Sequence, residues 1–495
     1  MLHYPRSMTE LQHAAKATRP RIQPAEEGDR RPLSVSARLG RLQFHQSGKF
    51  RVLQFADIQD GPKVSKDTIS LIEASLDATR PDLVIFNGNQ IAGYDSAYAL
   101  TSRKRRWDAR PASASSEASG ERYAAALEHT RELVRATIEQ LVHPLADRGV
   151  PWAVTFGNHD FQCGLDNDEI ESICREFPGC INPERAADGT TGIAVKHGVK
   201  HDVGDMEQDF GLPEQPVIAC APGTFALSVT DVDRTYDVLG LVLLDSGDYA
   251  RSGGYGSPSE AALRFLADAP GLMAAQSQQL LQQDRQDEQD SPREPRKTPS
   301  TLPCMVFQHF PIEQYYRLLK PVAATAARAI EGYRNFAGRH FVLNEDKTQP
   351  GSYLGEGVSC PDADSGEFAI LDKAGYFAIS AGHDHRNAFV GSVPVGTDGD
   401  RQMMMVASPT SGFGSYGPVP AKRAARLFEF DIRHPYEPRT QLLEYDELVG
   451  KPSAGKAYAY GMTSESKPDS EGMDLLHRPT WWSKTWNKLV SLFRR

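Results

Sequence analysis

The chain has 495 residues, which is enough for one large core or for several smaller ones. Its composition, with 40% hydrophobic and 24% charged residues, is that of a globular protein and excludes fibrous and membrane-embedded classes. A formal charge of -10 argues against a nucleic-acid binder, because phosphate backbones are held by clustered Lys and Arg.

The first segment of the chain predicts no ordered domain. Residues 1–41 are rich in Arg, Pro, Ala and Ser without periodicity, which indicates a poorly ordered N-terminal arm. The segment lacks the apolar core of a signal peptide, and no apolar run in the chain reaches the roughly 18 residues of a membrane-spanning helix. The six cysteines are scattered without a CxxC pair, so we interpret them as reduced thiols. We therefore expect a cytoplasmic protein.

Residues 42–445 are predicted to form one domain. Short β-rich runs alternate there with helical patterns, and the first of them lie at 51–58, 66–79, 82–86, 121–147 and 151–156. This alternation is typical of βαβ units, whereas the second half of the domain is richer in strand patterns. Polar stretches near 101–122 and 282–300 predict mobile surface loops.

The end of the chain divides into two further predicted segments. Residues 446–480 have the composition of a flexible linker. A helical projection of 481–495 places Trp, Leu, Val and Phe on one half and mostly Lys, Arg, Ser and Asn on the other. This segment is predicted to be a basic amphipathic helix that either makes peripheral contact with an anionic membrane or docks on this protein or a partner.

Polar side chains follow five predicted strands at the point where each strand ends, where α/β sheets usually place their ligand sites. These side chains are Asp57, Asn89, Asn158, His309, His383 and His385. Carboxylate and amide oxygens together with neutral imidazoles suit divalent metal ions. Neighbouring Gly88, Gly157 and Gly382 allow the backbone to turn sharply or to approach a ligand closely. The sequence therefore predicts a metal site at the strand ends.

The ordered motifs D-x-Q, G-N, G-N-H-D, a single H and G-H-D-H resemble those of the calcineurin-like metallophosphoesterases, whose pattern is D-x-H, G-D, G-N-H-D/E, H and G-H-x-H. The surrounding segments FADIQDGP, NQIAGYD, LLDSGDY and SPTSGFGSYG are similar to the branch related to purple acid phosphatases and their bacterial and fungal relatives. The resemblance covers residues 48–432. It implies an α/β fold, a four-layer α-β-β-α sandwich of two mixed sheets flanked by helices.

The resemblance also implies a role for each matching residue. One divalent metal ion would be surrounded by Asp57, Gln59, Asn89 and His385, and Asn89 would bridge to a second ion held by Asn158, His309 and His383. The catalytic residue facing the phosphoryl group would be His159, and Asp60, Asp160 and Asp384 would lie behind the ligands. The two ions would activate a water molecule and hold the phosphoryl oxygens of a phosphorylated small molecule or protein. Mn, Fe and Zn all suit these ligands.

Two positions depart from the family pattern. Gln59 stands where the family has His, and Asn89 stands where it has the bridging Asp. An Asn offers one carbonyl oxygen and an NH2 group that repels a cation, so the Asp57/His385 set is weakened while the Asn158/His309/His383 set is predicted to be intact. The site then holds two ions with altered preference, holds one ion, or binds a phosphate ligand without turnover.

Three functions follow from these alternatives. The first is a metal-dependent phosphoric ester hydrolase, a phosphatase or phosphodiesterase that uses a metal-activated water. The second is a catalytically weak or inactive regulator that binds a phosphate or nucleotide. The third is a membrane-recruited scaffold in which residues 481–495 dominate.

Overall fold

The computed structural model describes residues 31–108, 117–184, 192–195, 212–287 and 300–450. The strands are β1 (Lys49–Phe55), β2 (Leu83–Asn87), β3 (Trp152–Thr155), β4 (Gly192–Val195), β5 (Pro216–Ala221), β6 (Thr224–Thr230), β7 (Asp237–Leu244), β8 (Cys304–Gln308), β9 (Leu319–Val322), β10 (Ile330–Glu331), β11 (His340–Leu343), β12 (Tyr376–Ala381), β13 (Val390–Val395), β14 (Arg401–Ala407), β15 (Ala424–Asp431) and β16 (His434–Glu444). The α-helices are α1 (Val35–Leu39), α2 (Lys66–Thr79), α3 (Glu117–Asp147), α4 (Asn167–Arg175), α5 (Glu260–Asp287), α6 (Glu367–Ala374) and α7 (Tyr445–Val449).

Two mixed sheets carry the fold. A five-stranded sheet has the order β16-β15-β1-β2-β3, in which β1, β2 and β3 run parallel and β15 is antiparallel to β1. An eight-stranded sheet has the order β13-β14-β12-β8-β7-β6-β5-β4, with a parallel centre formed by β14, β12, β8 and β7. The short strands β10, β11 and β9 form a separate three-stranded sheet. Parallel strands therefore end at one edge of each large sheet.

Alternate residues of the central strands belong to different cores. In β1, Phe50 and Val52 pack between the two sheets, whereas Leu53 and Phe55 pack on the opposite face of their own sheet. Phe307 of β8 reaches the same inter-sheet core from the other side. This separation follows from the period of two along a strand, which sends successive side chains to opposite faces.

Helices cover the two outer faces. Leu76 of α2 and Leu141 of α3 share a core with Trp152 on the five-stranded sheet. Leu266 of α5 and Leu371 of α6 belong to the core on the outer face of the eight-stranded sheet. The layers are thus helix, sheet, sheet and helix, and the predicted four-layer α-β-β-α sandwich is confirmed.

Three predicted segment boundaries differ from the structure. Helix α1 lies inside the predicted arm 1–41, and it is tied to the domain by hydrogen bonding, since Ser36 Oγ donates to the buried Asp82 at 2.9 Å. Helix α3 already begins at Glu117 and α5 continues to Asp287, so both enter stretches predicted as loops. Hydrophobic periodicity misses these ends because they are polar. None of the described helices is long and apolar enough to cross a bilayer.

The predicted linker over 446–480 overlaps the described residues only as far as α7 and Gly450. The predicted amphipathic helix over 481–495 lies outside the described residues and stays a prediction.

One buried carboxylate joins the loops that follow β2 and β3. Asp160 accepts the backbone N–H groups of Asn89, Gln90 and Gly157 at 2.8 Å each and that of Ile91 at 3.2 Å. Burial raises the pKa of Asp160 to about 7, although the four N–H donors favour the ionised form. The position of the Asn89 loop relative to the Gly157 loop therefore depends on this side chain.

We predict that Asp160→Ala destabilises the protein by about 3 kcal/mol or more, because it leaves buried N–H groups without an acceptor. The matched control is Asp95→Ala, since the Asp95 carboxylate accepts the N–H of Ala97 at 2.8 Å but lies in an exposed turn. We expect that control to cost about 1 kcal/mol, the usual range for a cap. Urea unfolding of both variants measures the difference, and equal losses would contradict the role given to Asp160.

A second buried acid predicts how stability varies with pH. Glu367 opens α6, and burial raises its pKa to about 7, with the nearby Asp364 acting in the same direction and Gln308 against it. Below the ordinary pKa of a glutamate the carboxyl is protonated in both folded and unfolded chains. Above that value the unfolded chain releases its proton first, so stability is lost as pH rises towards 7.

We predict that Glu367→Gln removes this loss. Its free energy of unfolding relative to the natural chain should rise between about pH 4.5 and pH 7, by up to about 3 kcal/mol, and then stay constant. Glu260→Gln at the start of α5, where the side chain is 83% exposed, should show no such rise. Parallel unfolding curves for the two variants across this range would refute the assignment.

Candidate metal centre

The seven predicted ligands lie together at the carboxyl ends of five parallel strands. The five-stranded sheet contributes Asp57 and Gln59 after β1, Asn89 after β2 and Asn158 after β3. The eight-stranded sheet contributes His309 after β8, and His383 and His385 after β12. The centre therefore spans both sheets, and all seven side chains are buried.

Four lone-pair atoms converge on one point between the sheets. Asp57 Oδ1 lies 3.3 Å from His385 Nε2 and 3.7 Å from His309 Nε2. Asn158 Oδ1 lies 3.2 Å from the same His309 nitrogen. The ring of His383 stands 5.1 Å from that of His309, and its backbone N–H donates to Asp57 Oδ2 at 2.6 Å. The second Asp57 oxygen is thereby kept away from the convergence point.

The Asn89 amide occupies the middle of this arrangement. Its Oδ1 accepts the backbone N–H of His159 at 2.8 Å, which turns the NH2 group inwards. That NH2 lies 2.8 Å from His309 Nε2, 3.1 Å from Asp57 Oδ1 and 3.2 Å from Asn158 Oδ1. Asn89 thus touches residues of both predicted ligand sets. The Asn158/His309/His383 set was predicted to be intact. It is nevertheless affected by the Asn at position 89, because Asn158 and His309 both face the Asn89 NH2 group.

Gln59 also turns its NH2 group towards the centre. Its Nε2 lies 3.1 Å from His385 Nε2 and 3.4 Å from Asp57 Oδ1, while its Oε1 accepts the hydroxyl of Tyr94 at 3.2 Å. A tyrosine hydroxyl can donate or accept, so the Gln59 amide can turn over without losing this bond. Asn89 cannot, because a backbone N–H only donates.

Backbone carbonyls hold two imidazoles in the form that binds metal. His309 Nδ1 lies 3.1 Å from the carbonyl of Asn87, and His385 Nδ1 lies 2.7 Å from that of Tyr416. Each Nδ1 therefore carries the proton and each Nε2 presents a lone pair to the centre. Burial also lowers the pKa of His309, which favours the neutral ring.

Asp57 carries the negative charge of the centre. Burial alone would raise its pKa, but the neighbouring imidazoles of His309 and His385 lower it below the ordinary value. Among the described residues, no three His, Cys, Asp or Glu side chains make up a metal-binding group by themselves. A coordination shell here would therefore draw on amide oxygens as well.

The donor set of Asp57 Oδ1, Asn158 Oδ1, His309 Nε2 and His385 Nε2 fits a divalent cation in chemistry, since it combines one carboxylate, one amide oxygen and two neutral imidazoles. The inward NH2 groups of Asn89 and Gln59 do not fit one. They stand close to the same lone pairs that a cation would bind, and they satisfy those lone pairs as hydrogen-bond donors.

His159 lies beside the ligands and is partly exposed. Its Nδ1 contacts Gln162 Oε1 at 2.7 Å, and Gln162 Nε2 donates to the carbonyl of Lys104 at 3.0 Å, which fixes the orientation of that amide. Tyr94 packs edge-on against the ring with 4.9 Å between centroids. Burial lowers the pKa of His159 to about 4, so the ring is neutral at pH 7, and its Nε2 lies 3.3 Å from the Asn158 amide nitrogen.

The other two predicted outer carboxylates are bound to nearby loops. Asp60 accepts the hydroxyl of Thr68 at 2.7 Å and the N–H of Ser65 at 3.0 Å, at the start of α2, so it does not replace the missing ligands. Asp384 accepts the N–H of Ser359 at 3.1 Å, and burial raises its pKa well above the ordinary value. Both residues brace the loops that carry ligands.

Backbone strain is concentrated at the centre. Asp57, Gln59, Asn89 and His383 all have positive φ values, between 45° and 70°, a region that side chains other than glycine rarely adopt. Gly88 has φ 87°, and a Cβ added there would come within 2.5 Å of His309. The close approach predicted for this glycine is therefore confirmed, and it leaves room for a candidate ligand.

Several residues of the site were not predicted as such from the sequence. Tyr249 OH accepts the Asn158 amide at 2.8 Å, which turns Asn158 Oδ1 towards the centre. Tyr416 stacks on His385 with 4.0 Å between centroids. Glu356 is a half-buried carboxylate that interacts electrostatically with His385, and desolvation raises its pKa. Tyr416 lies in SPTSGFGSYG and Tyr249 lies in LLDSGDY, two of the segments similar to the purple acid phosphatase branch, whereas Glu356 lies in neither.

The chain is similar to a described protein family and to several curated proteins. Residues 50–218 match the family model described as calcineurin-like phosphoesterase. Over 93% of this chain and 92% of the relative, the sequence is 19% identical to "Probable inactive purple acid phosphatase 29" of Arabidopsis thaliana. It is 21% identical to phosphatase DCR2 of Saccharomyces cerevisiae, over 72% of this chain and 47% of that protein. "Probable inactive purple acid phosphatase 28" of Arabidopsis thaliana is 23% identical over 78% of this chain and 77% of the relative.

Solved structures superpose only loosely. PhoD matches 81% of this chain and 69% of its own at 9% identity and a TM-score of 0.37. GAP50, the anchor in the inner membrane complex of Plasmodium, matches 81% and 86% at 10% identity and a TM-score of 0.35. The fold therefore rests on the sheets and layers described above. The match to the family model over residues 50–218 and the curated relatives, together with the ordered residues at the strand ends, support the calcineurin-like metallophosphoesterase superfamily for this chain.

Proposed function

We propose that the chain is a metal-dependent phosphoric ester hydrolase whose centre binds metal weakly and holds one divalent cation rather than two. The observation that carries this proposal is the convergence of Asp57 Oδ1, Asn158 Oδ1 and the Nε2 atoms of His309 and His385. A cation bound to these donors would supply the positive charge that stabilises the phosphoryl oxygens. The phosphatase DCR2 relative supports hydrolysis as the class of reaction.

Each remaining residue has a task that follows from its contacts. Tyr249 orients Asn158, and Asp57 offsets the charge that enters the centre. His159 is neutral in the free protein, and its Nε2 lies 3.3 Å from the Asn158 amide nitrogen. A phosphate dianion bound beside the ring would raise the pKa of His159, because an opposite charge favours the protonated imidazole. His159 can then protonate the leaving oxygen.

The Asn89 amide favours a second candidate function, a phosphate-ester-binding regulator without turnover. To let a cation approach His309 Nε2, the NH2 group must be displaced, and the N–H of His159 then loses its acceptor. Losing a buried hydrogen bond costs about 1–3 kcal/mol, which weakens metal binding by roughly tenfold or more. The relatives named as inactive are consistent with this candidate.

We predict that the purified chain, loaded with Mn, Zn or Fe, binds about one metal ion and hydrolyses an aryl phosphate. Asp57→Asn should lose both properties, because it removes the carboxylate from the centre. Elemental analysis measures the bound metal, and release of p-nitrophenol measures the hydrolysis. No bound metal and no turnover in any of the three loaded forms would exclude the hydrolase and favour the regulator.

We further predict that Gln59→His together with Asn89→Asp raises metal occupancy. The new carboxylate can still accept the N–H of His159, while an oxygen replaces the inward NH2 group. Metal affinity should increase by about tenfold or more, the scale on which ligand environment changes metal binding.

The matched control makes the same two chemical changes on the exposed surface, Gln402→His with Asn335→Asp. Metal titration of both double variants at equal protein concentration makes the comparison. Equal occupancy in the two double variants would mean that positions 59 and 89 are not ligand positions.

A further inference from the structure

Three exposed cations form a rim beside the candidate centre of this acidic chain. Lys104 and Arg105 belong to the loop before α3, and Arg251 belongs to a turn after β7. All three are exposed, and among the described residues none of them forms an ion pair with a carboxylate. We call these three residues, with Trp107, the cationic rim. Such a cluster of cations is unexpected in a protein of net charge -10.

Trp107 holds the two arginines in place. The Arg105 guanidinium lies 5.5 Å from the Trp107 ring centroid, and that of Arg251 lies 5.2 Å from it. Cation–π contacts of this kind orient a guanidinium while leaving its N–H donors free. Because the arginines come from two separate loops, the indole also joins those loops.

Both loops of the rim are attached to the centre through single side chains. Gln162 donates to the Lys104 carbonyl at 3.0 Å and contacts His159 at 2.7 Å. On the other loop, Tyr249 accepts from Asn158, two residues before Arg251. Both rim loops are therefore linked by hydrogen bonds to His159 or Asn158 of the candidate centre.

The acids around the rim are already engaged. Arg106 forms a two-pronged ion pair with Asp245 at 2.9 and 3.0 Å, and its backbone N–H donates to Asp248 at 2.8 Å. Asp108 accepts the backbone N–H of Arg105 at 2.9 Å and reduces the positive charge there without removing it. The three rim cations exceed the one acid that remains beside them.

We propose that the cationic rim binds a second phosphate group of the substrate, so that the preferred substrates are small phosphate esters carrying two phosphate groups. The inference rests on the proposed function only in placing the first phosphate at the centre. Oriented guanidinium groups bind phosphate with paired N–H donors, and a second anionic contact distinguishes a bisphosphate from a monophosphate.

The test is calorimetric titration of the full chain with fructose 1,6-bisphosphate and with fructose 6-phosphate. The natural chain should bind the bisphosphate more tightly. Arg105→Gln with Arg251→Gln should raise the Kd of the bisphosphate about tenfold and change that of fructose 6-phosphate by less than about twofold. Trp107→Leu keeps both arginine charges but removes the ring that orients them. It should therefore raise the Kd of the bisphosphate by less than the double variant does.

The matched control also removes two arginine charges, with Arg433→Gln and Arg439→Gln. Arg439 lies in β16, the edge strand of the five-stranded sheet, and Arg433 lies in the turn before it. The control should leave both affinities unchanged. Lack of a bisphosphate preference in the natural chain, or equal losses in the rim and control variants, would overturn the inference. Calorimetry reports binding whether or not an ester is cleaved, so absent turnover alone would count against the hydrolase and not against the rim.

Discussion

The buried carboxylate of Asp160 is the constraint on which the candidate centre depends. It binds four backbone N–H groups from the loops after β2 and β3, two strands that are neighbours in the same sheet. One of those N–H groups belongs to Asn89, whose amide then contacts ligands from both large sheets. Asp160 contacts the backbone of Asn89 rather than its side chain, and together with the backbone hydrogen bonds between the 57–60 and 88–92 segments it sets where the middle of the centre lies.

The loop that carries Asn89 also determines that a hydrogen-bond donor, rather than an acceptor, faces the middle of the centre. With Asn89 held through its backbone by Asp160 and through its carbonyl by the N–H of His159, the amide nitrogen faces His309 and Asp57. The uncharged Asn89 NH2 group thus lies among lone pairs and donates hydrogen bonds to atoms that could otherwise bind a cation. This arrangement stabilises the centre without metal, and metal must compete with it. Four of the predicted ligand positions have positive φ values, and the surrounding packing must stabilise this strained backbone.

Charge differs between the candidate centre and the cationic rim. Inside, one ionised carboxylate, Asp57, is surrounded by neutral imidazoles and amides. At the rim, Trp107 orients two arginines that no described carboxylate neutralises. Binding energy from such peripheral contacts can hold an anionic ligand where a single cation would not, since interactions remote from the reacting group contribute to affinity all the same. The proposed function and the proposed rim are therefore physically connected, although each has its own test.

The residues alone were enough to predict which strands end in Asp, Asn and His, where glycines stand, and that positions 59 and 89 carry amides where the resembling family has His and Asp. Periodicity also located most strands, because alternate burial leaves a pattern of two. Polar helix ends such as the one at Glu117 left no such pattern. The three-dimensional structure was needed to show that the Asn89 NH2 points inwards, that Tyr249 and Tyr416 contact candidate ligands, and that two arginines of the rim meet at Trp107. Each of these depends on contacts between residues far apart in the chain, and amide orientation in particular is set by which backbone group lies opposite.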